Sequence, residues 1–199
     1  NINIITMKKI SQLIVLFAFI FAVNLSAQTV WKQDPNHSKL GFTVTHLSIA
    51  DVTGYFTKFD VSVTSSQADF GDAVIELTAD INSINTGIEA RDNHLKTADF
   101  FDAATYPTMT FKSTSIEKSG DKTYKLKGNL TMHGVTKEIT VDLIYRGTIQ
   151  NPMANNADVA GLQILGTLKR SDFNIGSTFP DFAISDEVRI KADGEFSKK

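Results

Sequence analysis

The sequence has no cysteine in its 199 residues. That excludes disulfide scaffolds, cysteine-ligated zinc, iron–sulfur clusters and thiol catalysis. It also lacks a basic excess: 20 Lys and Arg stand against 22 Asp and Glu, a net charge of −2, whereas nucleic-acid binders carry a positive surplus. The 12 glycines nowhere form a phosphate-binding loop, and no Gly-x-Ser-x-Gly elbow marks an acyl-transfer nucleophile. The apolar run from Leu13 to Val23 has 11 residues, against the ~20 that a bilayer-spanning helix needs. What is present is ordinary for a globular protein. An apolar content of 42% is too high for a disordered chain, and the length fits one domain or at most two small ones.

The N-terminus reads as an address. Lys8 and Lys9 precede the run LIVLFAFIFAV, and Asn24, Leu25, Ser26 and Ala27 follow it. A basic start, a short apolar stretch and a small-residue exit are the parts of a secretory signal peptide. Residues 1–27 are therefore expected to be removed, with cleavage after Ala27; residues 1–6 precede the nearest Met and are expected to lie upstream of the true start. The expected mature domain is 28–199. Without a cysteine it has no site for an N-terminal lipid, so no stable membrane anchor is expected.

Downstream of Trp31 the dominant period is two. Leu40, Phe42, Val44 and His46 share one parity. Ile75, Leu77, Ala79 and Ile81 alternate with Glu76, Thr78 and Asp80, and Val188, Ile190, Ala192, Gly194 and Phe196 alternate with charged residues. One wet face and one buried face is the antiparallel signature. Eight such segments are expected, at about 37–47, 52–64, 73–82, 108–117, 123–133, 136–150, 158–170 and 186–198, separated by turn residues such as Ser119-Gly120-Asp121 and Asn151-Pro152. Eight long strands predict an all-β fold: a closed barrel, which leaves no exposed edge, with a two-sheet sandwich as the alternative.

Residues 86–101 break the pattern. Thr86 and Glu89 have capping-box spacing, and Ile88, Arg91 and Leu95 lie along one side at helical spacing. This predicts one short helix between strands three and four, with Phe100 and Phe101 closing over a barrel end. A second irregular stretch, 171–185, carries Phe173, Phe179 and Phe182. Loops of that length are often functional; a portal over a pocket and a plug of one barrel end fit equally well.

Several motifs combine in order. They are Asp34-x-x-His37-Ser38, Phe42-x-Val44-x-His46, Val52-x-Gly54-x-Phe56-x-x-Phe59, Ser83-Ile84-Asn85-Thr86 and Arg91-Asp92-x-His94-Leu95-Lys96. Asp99-Phe100-Phe101-Asp102, Tyr106-Pro107, Phe111-Lys112-Ser113, Gly128-x-Leu130-Thr131-Met132-His133-Gly134-Val135-Thr136-Lys137 and Arg170-Ser171-Asp172-Phe173 complete the series. In that order and spacing the chain resembles the YceI-like family of lipid- or polyisoprenoid-binding proteins, over roughly 30–198. The resemblance implies an eight-stranded antiparallel lipocalin-like barrel, an elongated apolar pocket for an isoprenoid chain, and export to the periplasm. Asn174 departs from the family, where many relatives have Gly.

Inward parity marks the candidate lining: Phe42, Val44, Phe56, Ile75, Leu77, Phe111, Leu126, Val141, Leu143, Leu162, Ile164 and Leu168 on the strands, His46 at a strand end, and Phe173, Phe179 and Phe182 at the portal. By themselves these residues fit either a filled interior or a ligand cavity, since eight strands is the size at which both occur. The four histidines show no i, i+2 strand or i, i+4 helix pair, so no metal site is expected. Arg91-Asp92 reads as an ion pair tying the helix to neighbouring strands, and Asp69, Asp72, Asp99 and Asp102 as caps and turn formers.

The expected function is that of an exported protein, periplasmic in a Gram-negative host and otherwise secreted. It holds a polyisoprenoid or isoprenoid quinone in the lumen, has no catalytic residues and no cofactor beyond that lipid, and binds no nucleic acid; a homodimer is left open. An enzyme acting on an isoprenoid lipid and a structural or partner-binding barrel with a filled core are the alternatives.

Overall fold

The computed structural model describes residues 28–198; the expected signal peptide lies outside them. The order is β1 (Thr29–Gln33), β2 (Lys39–His46), β3 (Ala50–Phe56), β4 (Phe59–Ser65), β5 (Val74–Asp80), β6 (Ile84–Asn85), α1 (Glu89–Leu95), β7 (Thr108–Gly120), β8 (Thr123–Met132), β9 (Val135–Asn151), β10 (Ala157–Lys169) and β11 (Glu187–Lys198). Every pairing is antiparallel, and β1-β4-β5-β7-β8-β9-β10-β11 closes on itself through β1–β11. The fold is therefore the eight-stranded barrel with one short helix, and the sandwich is excluded.

Two walls of the barrel are each broken in the middle. The first is β1, a strand not expected from the sequence, plus β2, the expected segment 37–47; both pair with β11, Gln33 facing Phe196 and Lys39 facing Asp193. Between them Pro35 opens a 3-10 turn that Asp34 caps through the Asn36 amide at 2.8 Å. Proline has no N–H for the ladder, so pairing stops there and resumes after it. The second is β3 plus β4, which continue one another alongside β2 and β1. The ladder register sets 40 opposite 56, 77 opposite 111 and 126 opposite 141. The side chains at these positions all have the inward parity read from the sequence.

The strand directions define two ends. At the base lie the chain termini of the barrel, the segment 66–73 and the hairpins at 121–122 and 152–156. An aromatic plug closes it: Trp31 and Phe70 rings lie 5.0 Å apart, Phe70 and Tyr145 5.2 Å, and the Tyr124 hydroxyl donates to the Asp69 carbonyl at 3.0 Å. Phe70 and Tyr124 are almost fully buried.

Asp72 staples the plug segment in place. Its carboxylate accepts the Ser66 amide at 2.9 Å, the Gln67 amide at 3.2 Å and the hydroxyls of Ser65 and Ser66. Burial alone would raise its pKa; the hydrogen bonds outweigh it and hold the carboxyl at about 2. A depressed folded-state pKa stabilises above the unfolded value, 3.8, and the contribution is lost as pH falls through about 2. Asp72→Asn should therefore cost on the order of 1 kcal/mol at pH 7, reduced by solvent screening of a part-exposed group. The difference from wild type should shrink between pH 4 and pH 2. Urea unfolding of both proteins at pH 7, 4 and 2.5 checks this; a gap that does not change with pH would sink it.

At the other end, the mouth, stand the 47–49 turn, the segment 81–107 with α1, the 133–134 turn and the segment 170–186. The expected capping box does not form. Gly87, at φ +78°, turns the chain, the N-cap is Ile88 without a side-chain bond, and Glu89 is the first helical residue rather than the third. Asp92 replaces it, accepting the Thr86 amide at 2.8 Å and the Thr86 hydroxyl at 2.6 Å. Ile88 is half exposed, and the inner side of α1 is formed instead by buried Asp92 with half-buried Arg91 and Leu95.

Candidate functional site: an apolar lumen closed at one end

Above the aromatic plug the barrel holds a cavity of about 580 Å³, within the usual size range of small-molecule sites. Its lower wall is Val63, Ile75, Leu126, Leu143, Leu162 and Phe196. None of the plug rings, Trp31, Phe70, Tyr124 and Tyr145, borders it, so the base is a floor rather than a second opening.

Two glycines keep the lumen open. A Cβ on Gly54 would sit 2.4 Å from the Phe42 ring, and one on Gly128 would sit 2.4 Å from the Phe111 ring. Each ring reaches into the space that a side chain on the neighbouring strand's glycine would take, a close approach that glycine permits. Phe42 also contacts Phe56 at 5.7 Å, and Phe56 meets Phe101 edge-on at 6.0 Å, continuing the aromatic wall up to the mouth.

Of the candidate lining residues, Phe42, Val44, His46, Phe56, Ile75, Leu77, Phe111, Leu126, Val141, Leu143, Leu162, Ile164, Leu168 and Phe179 all border the cavity. Phe173 and Phe182 do not. Phe173 is packed in the core at 1% exposure, with its carbonyl accepting from His133 Nδ1 at 2.9 Å. Phe182 points outward at 67% exposure. The three phenylalanines of the 171–185 segment were grouped by composition, but the segment folds back on itself and sends each to a different place.

The reason is Arg170, which the strand pattern had not singled out. It continues the inward parity of Leu162, Ile164 and Leu168, yet its side chain is only 7% exposed. Its guanidinium donates to the carbonyls of Ile175 (3.2 Å), Gly176 (2.6 Å), Phe179 (2.6 Å), Ile184 (3.1 Å) and Ser185 (3.3 Å), and to Asp181 at 3.4 Å. The segment expected to be a portal or a plug is thus wound around a buried cation. Asn174 sits in the left-handed region at φ 56°, a conformation asparagine tolerates better than other side chains, so the departure from glycine is accommodated. The loop in turn stacks on the helix region: Phe179 lies on Phe100 with centroids 4.8 Å apart, and His94 meets both rings edge-on while bonding Asp99 at 2.8 Å.

Arg91 and Asp92 do not pair with each other as expected. Both engage Thr86, Arg91 through Nε to the hydroxyl at 2.7 Å and Nη2 to the carbonyl at 2.9 Å. Thr86, Arg91 and His94 all border the upper cavity. The histidine spacing also missed a contact across the barrel seam. His37 Nδ1 lies 2.8 Å from Asp34 and 3.9 Å from Glu195, and the carboxylates, Asp34 first, hold its pKa above the ordinary value. These three donors lie within 4.8 Å of one another at the surface. Glu195 sits at the far end of the sequence, so no local spacing could reveal it.

A closed antiparallel barrel, plugged by aromatics at one end and holding an apolar lumen with a polar mouth, defines the lipocalin-like class of binding folds. The model of the YceI-like domain matches residues 31–196, and the chain belongs to that family. A UPF0312 protein of Staphylococcus aureus (strain USA300) is 36% identical over 168 residues, covering 82% of this chain and 95% of its own. The structure of a Campylobacter jejuni YceI protein is 31% identical, with a TM-score of 0.71 over 78% of this chain and 90% of that one. Burkholderia cenocepacia BcnA is 27% identical with a TM-score of 0.71, covering 82% and 98%. A polyisoprenoid-binding domain from Saccharophagus degradans shares the fold at 21% identity and a TM-score of 0.63, covering 85% and 98%.

Proposed function

We propose that this protein holds a long apolar chain, a polyisoprenoid or an isoprenoid quinone, in the barrel lumen, and that it carries, stores or shields that chain in an exported compartment. The observation that carries the reading is the cavity: predominantly apolar, closed below, with polar side chains toward the mouth and at one lateral patch of Ser38, Lys39 and Asp193. Such a site favours an apolar tail inside and a polar end at the rim. Moving about 450 Å² of chain out of water at about 25 cal/mol per Å² contributes about 11 kcal/mol gross. Ordering costs remove several of these, which leaves affinities of about micromolar or tighter.

Binding is favoured over catalysis by the state of the wall hydroxyls. Thr86 is committed to Asp92 and Arg91, and Ser38 Oγ has no hydrogen-bond partner among the described residues, so none of them is bonded to it as a base.

The test is to recover the protein from the periplasm or the medium of an expressing cell and to measure it by native mass spectrometry before and after organic extraction. A chain beginning near Gln28 with one extractable isoprenoid per molecule is the expected result. A chain that retains the run at 13–23, or an extract free of lipid from folded protein, would overturn export or lumen binding respectively.

A further inference from the structure

The β2–β3 hairpin ends in a turn that its residues do not favour. Leu47 and Ser48 both sit in the left-handed region, at φ 49° and 59°, and the Ile49 amide donates to the His46 carbonyl at 3.1 Å. Asparagine and glycine take such positions at little cost, whereas a leucine there is strained. The segment wound around Arg170 holds the turn in place. The Leu47 amide donates to the Ala183 carbonyl at 3.0 Å, the Ser48 hydroxyl to the Phe182 carbonyl at 3.4 Å, and the Ser185 amide to the Thr45 carbonyl at 2.9 Å. The side chains displayed by this arrangement face water: Leu47 is half exposed, Ile49 is 85% exposed, and Phe182 points outward beside them. Strain that holds apolar side chains in solvent gains nothing within the molecule, and it points to a contact outside it.

The patch is continuous with the opening of the lumen. His46, Ala183 and Ile184 border the cavity, and their chain neighbours Leu47 and Phe182 are the exposed residues. The exposed apolar residues at the base, Ile149 and Met153, have no such lining neighbours. Residues 46–50 and 182–185 contain no Asp, Glu, Lys or Arg. A stable interface with a second copy or another protein takes about 20–30 residues a side and a polar rim. Three apolar side chains on two uncharged segments fall far short of that. They suit the boundary of a bilayer, where an apolar tip reaching about 5–10 Å deep needs no specific partner. We propose that the mouth docks reversibly on a lipid bilayer through Leu47, Ile49 and Phe182, so that an apolar chain passes between bilayer and lumen without crossing water. The choice of a bilayer as occupant rests on the lumen-binding reading. Because the tip is uncharged, docking depends on apolar insertion and not on anionic lipid.

The experiment pellets the mature protein with sucrose-loaded vesicles of neutral phosphatidylcholine, using variants shown to be folded by circular dichroism. Wild type should partition onto the vesicles. Ile49→Ser/Phe182→Ser, which removes two inserted side chains, should partition about tenfold less or weaker still. Met153→Ser, an equal loss of apolar surface at the closed base, should behave as wild type. The emission of Ile49→Trp should move to the blue when vesicles are added, and that of Met153→Trp should not. Wild type that stays in the supernatant, a double variant that pellets as wild type does, or an unmoved Ile49→Trp emission overturns the proposal. A wild-type dimer that the double substitution abolishes, without vesicle binding, assigns the patch to a second copy and overturns it as well. Geranylgeraniol delivered in detergent and read by native mass spectrometry separates the two readings. It should load the double variant as it loads wild type. Failure to load wild type counts against lumen binding alone, and docking is then decided by the pellet.

Discussion

If the lumen holds an apolar chain as proposed, Leu77→Glu and Val141→Glu should empty it, while Thr78→Glu and Thr140→Glu should leave it filled. Leu77 stands between Val61 and Phe111, and Val141 opposite Leu126; both border the cavity. A carboxylate there must lose its hydration or draw water into the lumen, at a cost of several kcal/mol against a lipid chain. At about 1.4 kcal/mol per tenfold, this is about 10²-fold or more in affinity. Thr78 and Thr140 are exposed on the outer face. A glutamate at 140 faces Lys127 and gains a favourable neighbour; one at 78 faces Asp60 and costs a few tenths of a kcal/mol without touching the lumen. Native mass spectrometry on variants shown to be folded by circular dichroism reads the outcome. Retention of the lipid by both lumen variants would place it elsewhere, and the functional reading would fail.

Removing the Arg170 guanidinium has the largest expected effect on stability. In Arg170→Met the carbonyls of Ile175, Gly176, Phe179 and Ile184 lose a charged donor together. A buried carbonyl left unpaired costs about 1–3 kcal/mol, and partial access of water to the loop offsets some of the sum, so about 3 kcal/mol or more is expected. For a domain of this size that lowers the melting temperature by about 6–12 °C. Arg170→Lys should recover little, because an ammonium cannot present a planar fork to carbonyls on several sides. Hydrogen exchange should show the amides of 174–185 opening, while those paired between β8 and β9 keep their protection. A melting temperature within about 1 °C of wild type would mean that the loop holds without its hub.

The alternation of apolar and polar residues was enough to place nearly every wall residue, since a strand offers its side chains only two sides and the buried side is the apolar one. It failed wherever the chain leaves the strand. The capping box at Thr86 was read from spacing, but spacing does not register that Gly87 turns the chain before the helix begins. Arg91-Asp92 was read as a pair because the two residues are adjacent; a third residue, Thr86, takes both. Phe173 and Phe182 were assigned to the mouth with Phe179 because all three occupy one irregular segment, and a segment without a period has no face to read. The break between β1 and β2 was written in Pro35, yet only their shared partner β11 shows that they are one wall of the barrel.

The sequence by itself determined the class of fold, the inward set of side chains and the family, because each depends on local periodicity or on ordered motifs that survive without three-dimensional information. Tertiary structure alone decided three things. It decided that the barrel is closed at its base, because the plug joins Trp31, Phe70 and Tyr145 from distant parts of the chain. It decided that the lumen is a cavity rather than a filled core, with Phe42 and Phe111 packed against glycines of neighbouring strands. And it decided which cations are free, since Arg91 and Arg170 look alike in sequence while one is saturated by backbone carbonyls and the other is not. In each case the deciding quantity is a distance between residues far apart in the chain, which closure of the barrel sets and local pattern cannot encode.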